Sequence, residues 1–403
     1  MTSPPVTGFR RRKARPVDEL LVAATAAACH PAPHPRVAEL AAIAGLETIG
    51  ELPALAAAHR VEGCVHAVLE GVGGVDAQVL DRLAVGRRQA SAHHLLVRDV
   101  LTRVGAVLDA AGIPWLVFKG PVLSSSVYCD SGMRRYSDLD VLVPPDRFVD
   151  AAAAMEDANY ANSVTSWAPQ VYFRSGAIAF SVGRISVDLH WHVVYKYQDR
   201  RWYSIDPDAL FARRRTVDIA GQPCATFDAV DTLFHLALHA AREGCHRLVW
   251  LKDIELAVAV GQPDLDELVR RAQAAGCAPA IGIALARSKW LLGTPVPDAI
   301  VTALVGRVWP RVVRAVAAFD DLGSTSRWPS PGTVLTRETR MSILRTADRA
   351  VRRIAERGSE RHIKQVLRRG VDRESRDPDE MARNQIDRAA YFTLVRDWRS
   401  ELS

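Results

Sequence analysis

The residues best suited to chemistry sit in Ser137-Asp138-Leu139-Asp140-Val141-Leu142-Val143, which alternates polar and apolar positions as a strand does. On a strand, residues i and i+2 share a face, so Asp138 and Asp140 present two carboxylates side by side. Leu139, Val141 and Val143 then point the other way, into a core. Carboxylates this close repel unless a cation lies between them, and oxygen-only ligands suit Mg²⁺ or Mn²⁺. A second alternating run, Ile185 to His192, puts Asp188, His190 and His192 on one face. If the two strands are neighbours, Asp188 joins as a third carboxylate. Such a cluster serves metal-assisted in-line displacement at phosphorus.

Upstream, Lys119-Gly120-Pro121 ends one apolar run and opens a helix. Free N–H groups there favour phosphate, and Lys119 adds a point charge. Arg134 precedes the acidic pair and suits either bidentate phosphate contact or pairing with an acid. His190 shares the Asp188 face, whereas His192 reads equally well as a satisfied strand histidine. His235 and His239 have the i, i+4 spacing of zinc ligands, but Leu236 stands where a metalloprotease needs glutamate. His239 and Asp253 read as a buried pair bracing two helices, and Trp191 and Trp250 as core. No GxxxxGK[ST] motif occurs.

The elements positioning these residues follow from periodicity. Residues 17–112 read as a helical region, closed by Gly112 and Pro114. Residues 113–226 read as an α+β core. Its expected strands are Trp115–Phe118, Asp138–Val143, Val171–Arg174, Ala177–Val182 and Ile185–Val194, and Phe148–Ala158 is an expected helix. Residues 227–323 return to helical spacing, and 324–336 read as a Ser- and Pro-rich linker.

The chain has 403 residues, 48% of them hydrophobic, 24% charged and with a net charge of +6. That surplus excludes a polybasic protein. Residues 337–369 carry 11 basic residues against four acids, a local +7 that leaves the rest near −1. Residues 337–403 are therefore expected to form a basic helical region, with 337–369 open to an anionic partner or to solvent. Six scattered cysteines without CxxC fit buried thiols in a cytoplasmic protein. Residues 1–16 read as a disordered basic arm, and no apolar run is long enough to span a membrane.

The quoted segments resemble the nucleotidyltransferase superfamily of the DNA polymerase beta type, most closely its uncharacterised bacterial branch. The matching stretches are Phe118-Lys119-Gly120, Gly132-Met133-Arg134 leading into Ser137 to Val143, and Val187 to Trp191. Leu236 to His239 and Arg247 to Asp253 extend the match. The resemblance implies an α+β polymerase beta-like core, a small mixed sheet with helices flanked by N- and C-terminal helical regions. It further implies transfer of NMP from an NTP, with ATP expected, to a hydroxyl of a small-molecule or natural-product acceptor. Asp138, Asp140 and Asp188 would be the catalytic, metal-holding residues, with Lys119, Gly120, Arg134 and His190 toward the nucleotide. The superfamily's usual Gly-Ser before the helix is here Lys119-Gly120. A protein acceptor (nucleotidylation), a nucleic-acid acceptor, and a non-catalytic nucleotide-binding or toxin–antitoxin-type interaction protein remain open as alternatives.

Overall fold

Alanine and leucine at helical spacing, with proline near several helix starts, turn the N-terminal part into a stack of helices. In the computed structural model, which describes residues 15–31, 33–306 and 378–398, these are α1 (Pro16–Ala27), α2 (Pro35–Ile49), α3 (Leu52–His59), α4 (Glu62–Leu69) and the long α5 (Ala77–Ala110). Asp76 starts α5 by accepting the Gln78 N–H at 2.7 Å.

The texture then changes. The segment 116–226 holds β1 (Leu116–Phe118), α6 (Gly120–Ser126), β2 (Asp138–Leu142), α7 (Phe148–Asp157), β3 (Ala161–Asn162), α8 (Ala168–Phe173), β4 (Ala177–Val182), β5 (Ile185–His190), α9 (Tyr197–Arg200), α10 (Pro207–Ala212), β6 (Arg215–Ile219) and β7 (Gln222–Thr226). Helices resume with α11 (Ala229–Arg242), α12 (Leu248–Ala259), α13 (Leu265–Ala274), α14 (Ala278–Leu292) and α15 (Asp298–Val305), and α16 (Pro378–Arg396) follows.

The architecture is α+β. A mixed sheet runs β1-β2-β5-β4-β3, with β2 and β5 parallel and the other pairs antiparallel. Parallel neighbours need a crossover, supplied here by α7, β3, α8 and β4. Period-two alternation gives the sheet two unlike faces. Val117, Leu139, Val141, Val187 and Leu189 build one core with α5, α7 and Tyr391 of α16. The opposite face carries Phe118, Asp138, Asp140, Asp188 and His190, and turns toward α11 and α12.

Several expectations change. Val171–Arg174 is not a strand but the end of α8, which Pro169 opens; a short apolar run does not by itself choose between helix and strand. The hairpin β6–β7 is not among the expected strands. Its turn, Ala220-Gly221, has both residues at positive φ, 56° and 87°, the hairpin-favouring geometry that glycine permits. His192 lies past β5, where its Nδ1 accepts the Val194 N–H and its Nε2 donates to Ile205 O. Four cysteines are buried, but Cys129 is exposed and Cys29 half-buried, both with Sγ against Met133 Sδ. The expected basic arm falls almost wholly outside the described residues, as do the linker 324–336 and the basic segment 337–369.

Candidate active site

Register, more than sequence spacing, assembles the carboxylates. Asp140 on β2 pairs with Asp188 on β5, Phe118 flanks Asp140 on β1, and Ala179 flanks Asp188 on β4. One row across four strands therefore reads Phe118, Asp140, Asp188, Ala179. Ligand atoms of Asp140, Asp188 and His190 all lie within 4.8 Å of one another. Asp138, two residues and so ~6.6 Å along β2, shares their face but stands outside that triple.

The three acids are electrostatically unlike. Burial opposes ionisation of Asp140, but the Lys119 ammonium and the His190 hydrogen bond outweigh it and hold this carboxyl well below the usual range. Lys119 Nζ lies 3.3 Å and His190 Nε2 3.0 Å from Asp140 Oδ1. The ionised carboxylate can only accept, so Nε2 carries the proton; the buried Nδ1 has no partner. Burial pushes Asp188 up to about 6, against the pull of His190 and with Asp140 and Asp138 adding to it. Burial and then Asp140 likewise raise Asp138. Two carboxyls short of countercharge beside one satisfied carboxylate form an oxygen-rich, over-negative donor set. A hard divalent cation fits that composition.

Lys119 occupies the bend from β1 into α6 with φ 55° and ψ −121°, a conformation that costs a non-glycine residue energy. The bend aims the ammonium back at β2. Gly120 follows because a Cβ there would sit 3.0 Å from the Tyr136 ring. Pro121 removes one N–H from the first turn of this seven-residue helix, so few backbone donors are left for phosphate.

Beside the acids lies a cavity of about 210 Å³, walled by the β1–α6 bend, β2, α11 and α12. Lys119, Arg60, Arg134 and Arg135 line it with Asp138 and Asp140. Like Arg135, Arg60, in a left-handed conformation closing α3, is a residue that the sequence alone does not single out. Burial lowers its pKa, and Arg247, Arg135 and Arg134 lower it further against Asp138. A polyanion relieves that concentration of positive charge.

Arg134 does reach the cavity, but its fork is engaged. Nε and Nη2 donate to the two carboxylate oxygens of Asp253, both at 2.8 Å, and Tyr128 OH donates to Oδ1 at 2.9 Å. Only Nη1, buried without a partner, is uncommitted. The expected pairing of Asp253 with His239 therefore gives way to one with Arg134. Trp191 is core, whereas Trp250 is half-buried on the cavity wall against His239, at a ring separation of 5.5 Å. Lys119, Gly120 and Arg134 line the cavity; His190 stands behind it, holding Asp140.

The sequence family described as uncharacterised nucleotidyltransferases matches residues 47–293, more than half of the chain. The chain belongs to that family. The family's chemistry is nucleotidyl transfer. The solution structure of the antibiotic-resistance factor ANT(2'')-Ia is similar at 14% identity, covering 46% of this chain and 92% of that one, with a TM-score of 0.33. No curated protein matches the chain. Among the described residues of this nucleotidyltransferase, no helix is long and apolar enough to cross a membrane.

Proposed function

We propose that this nucleotidyltransferase moves NMP from an NTP to a hydroxyl of a small-molecule acceptor, with Mg²⁺ or Mn²⁺ held by Asp138, Asp140 and Asp188. The observation that carries the reading is the in-register Asp140–Asp188 pair beside the cavity lined by Arg60 and Lys119. A bound divalent ion would neutralise phosphate charge and polarise the phosphoryl oxygens.

The protein's own groups divide the remaining work. Lys119 and Arg60 take the polyphosphate charge, and Arg134 Nη1 offers one further donor. His190 keeps Asp140 ionised and fixed in orientation. Asp188, with its raised proton affinity, receives the acceptor's hydroxyl proton. The acceptor oxygen then bonds to the α-phosphorus while the bond to the bridging oxygen breaks, and pyrophosphate leaves.

The test is release of pyrophosphate and the mass added to candidate acceptors incubated with each NTP and Mg²⁺. Asp140→Asn should lower turnover by at least about a hundredfold, the scale of losing one aligned electrostatic group, with the circular dichroism spectrum unchanged. Undiminished turnover in that variant rules out the assignment.

A further inference from the structure

On the other side of the carboxylates lies a second, larger cavity, of about 440 Å³, within the about 300–1,000 Å³ usual for small-molecule sites. The first cavity takes Asp138 and Asp140 into its wall from the β1–β2 side of the sheet; the second takes Asp188 from the β5–β4 side. The two thus flank the acids from opposite directions, as donor and acceptor do in an in-line displacement. Small side chains open the floor: Ala177 and Ala179 of β4 are the cross-strand partners of His190 and Asp188 on the carboxylate face. The roof is α8 with the segment leading into it. Asn384 of α16 pins that segment, its Oδ1 accepting the Trp167 N–H at 2.9 Å.

The lining has a distinct chemistry. Its polar side chains include Ser163, Thr165, Ser166 and Gln170, and its charged ones are Asp188 and Lys196. Phe173 and Tyr195 add aromatic rings. Ser166 is more than nine-tenths buried, yet its Oγ has no hydrogen-bond partner, and neither does the buried Oε1 of Gln170. Buried polar atoms are nearly always paired, so these two are groups that a ligand would satisfy. Neutral donors and acceptors beside aromatic faces match a ring bearing several hydroxyls. Among the described residues a polycation finds only one carboxylate here, with a lysine on the same wall.

We infer that this cavity is the acceptor site and that it takes a polyhydroxylated, sugar-like molecule without net positive charge, presenting one hydroxyl to Asp188. The inference rests on the nucleotidyl-transfer reading for its direction of reaction, but not for binding.

Binding is therefore measured apart from turnover. The full chain is titrated with myo-inositol, glucose 1-phosphate and the polycationic aminoglycoside neomycin by saturation-transfer NMR, and separately with ATP. One of the first two should bind at least tenfold more tightly than neomycin. Ala179→Leu, which fills the floor, should weaken that binding at least tenfold and leave ATP affinity unchanged. Ser166→Ala removes a hydroxyl with no partner in the protein, so it should keep the melting temperature while weakening the same probe several-fold. Preference for neomycin, binding of neither polyol, or polyol affinity indifferent to both substitutions overturns the inference. Polyol binding without ATP binding or turnover would retain this site and reject the transfer reading instead.

Discussion

Arg134 shows how one residue type supports two readings until its partner is known. Four positions before Asp138, it suited phosphate contact and acid pairing equally, because the deciding carboxylate is Asp253, far away in sequence. The structure engages it with that partner: Arg134 and Asp253 are both buried and meet in a bidentate pair. Removing one member of a buried pair strands the other charge. Arg134→Met should therefore destabilise the fold by about 3–5 kcal/mol, read as a fall in the urea midpoint; a loss under about 1 kcal/mol, the scale of an exposed pair, would show that Asp253 finds solvent or another donor. The acids were legible because alternation on a strand fixes which side chains share a face. Arg60 was not, since a lone arginine ending a short helix has no spacing signal and acquires its neighbours only when α3 packs against α4 and α5.

Elements place the site through backbone contacts that leave no room for side chains. Gly63 in α4 is such a contact: a Cβ there would run into the Gly132 carbonyl oxygen and Met133 Cα, in the turn leading directly to Arg134. Gly63→Ala should push this turn away, costing about 1–3 kcal/mol as overpacking does and loosening Arg134. The thermal midpoint reads the first effect, and a several-fold weaker ATP titration reads the second. Long periodic helices such as α5 and α11 were legible because a 3.6-residue repeat persists over several turns. Neither α8 nor the β6–β7 hairpin offers that length. Pro169 and Ala220-Gly221 decide those two segments, through fixed φ in one and positive φ in the other. The parallel β2–β5 register, on which the Asp140–Asp188 pair depends, is written nowhere in either strand alone.

Across the whole molecule, histidines buried without charge set the response to acid. Burial lowers His94 to about 4, with Arg98 and His93 adding, and burial holds His192, His235 and His239 well below their usual value. The unfolded chain binds protons on these rings near pH ~6.5, while the native state resists until lower pH. Their contribution is therefore intact above that value and drains as pH falls toward 4, by about 1.4 kcal/mol per pH unit for each ring that titrates only on unfolding. Asp188 runs the other way: its raised carboxyl favours the native state once protonated below about 6. One such acid, with a smaller contribution from Asp138, is outnumbered by four rings. Unfolding free energy from urea titrations at pH 7, 6 and 5 should thus decline steeply. His94→Gln replaces a ring whose Nδ1 meets Tyr136 OH at 2.8 Å, and should flatten that decline by about one proton's worth. A stability profile level from pH 7 to 5, or one that His94→Gln leaves unchanged in slope, would mean these rings already accept protons in the native state.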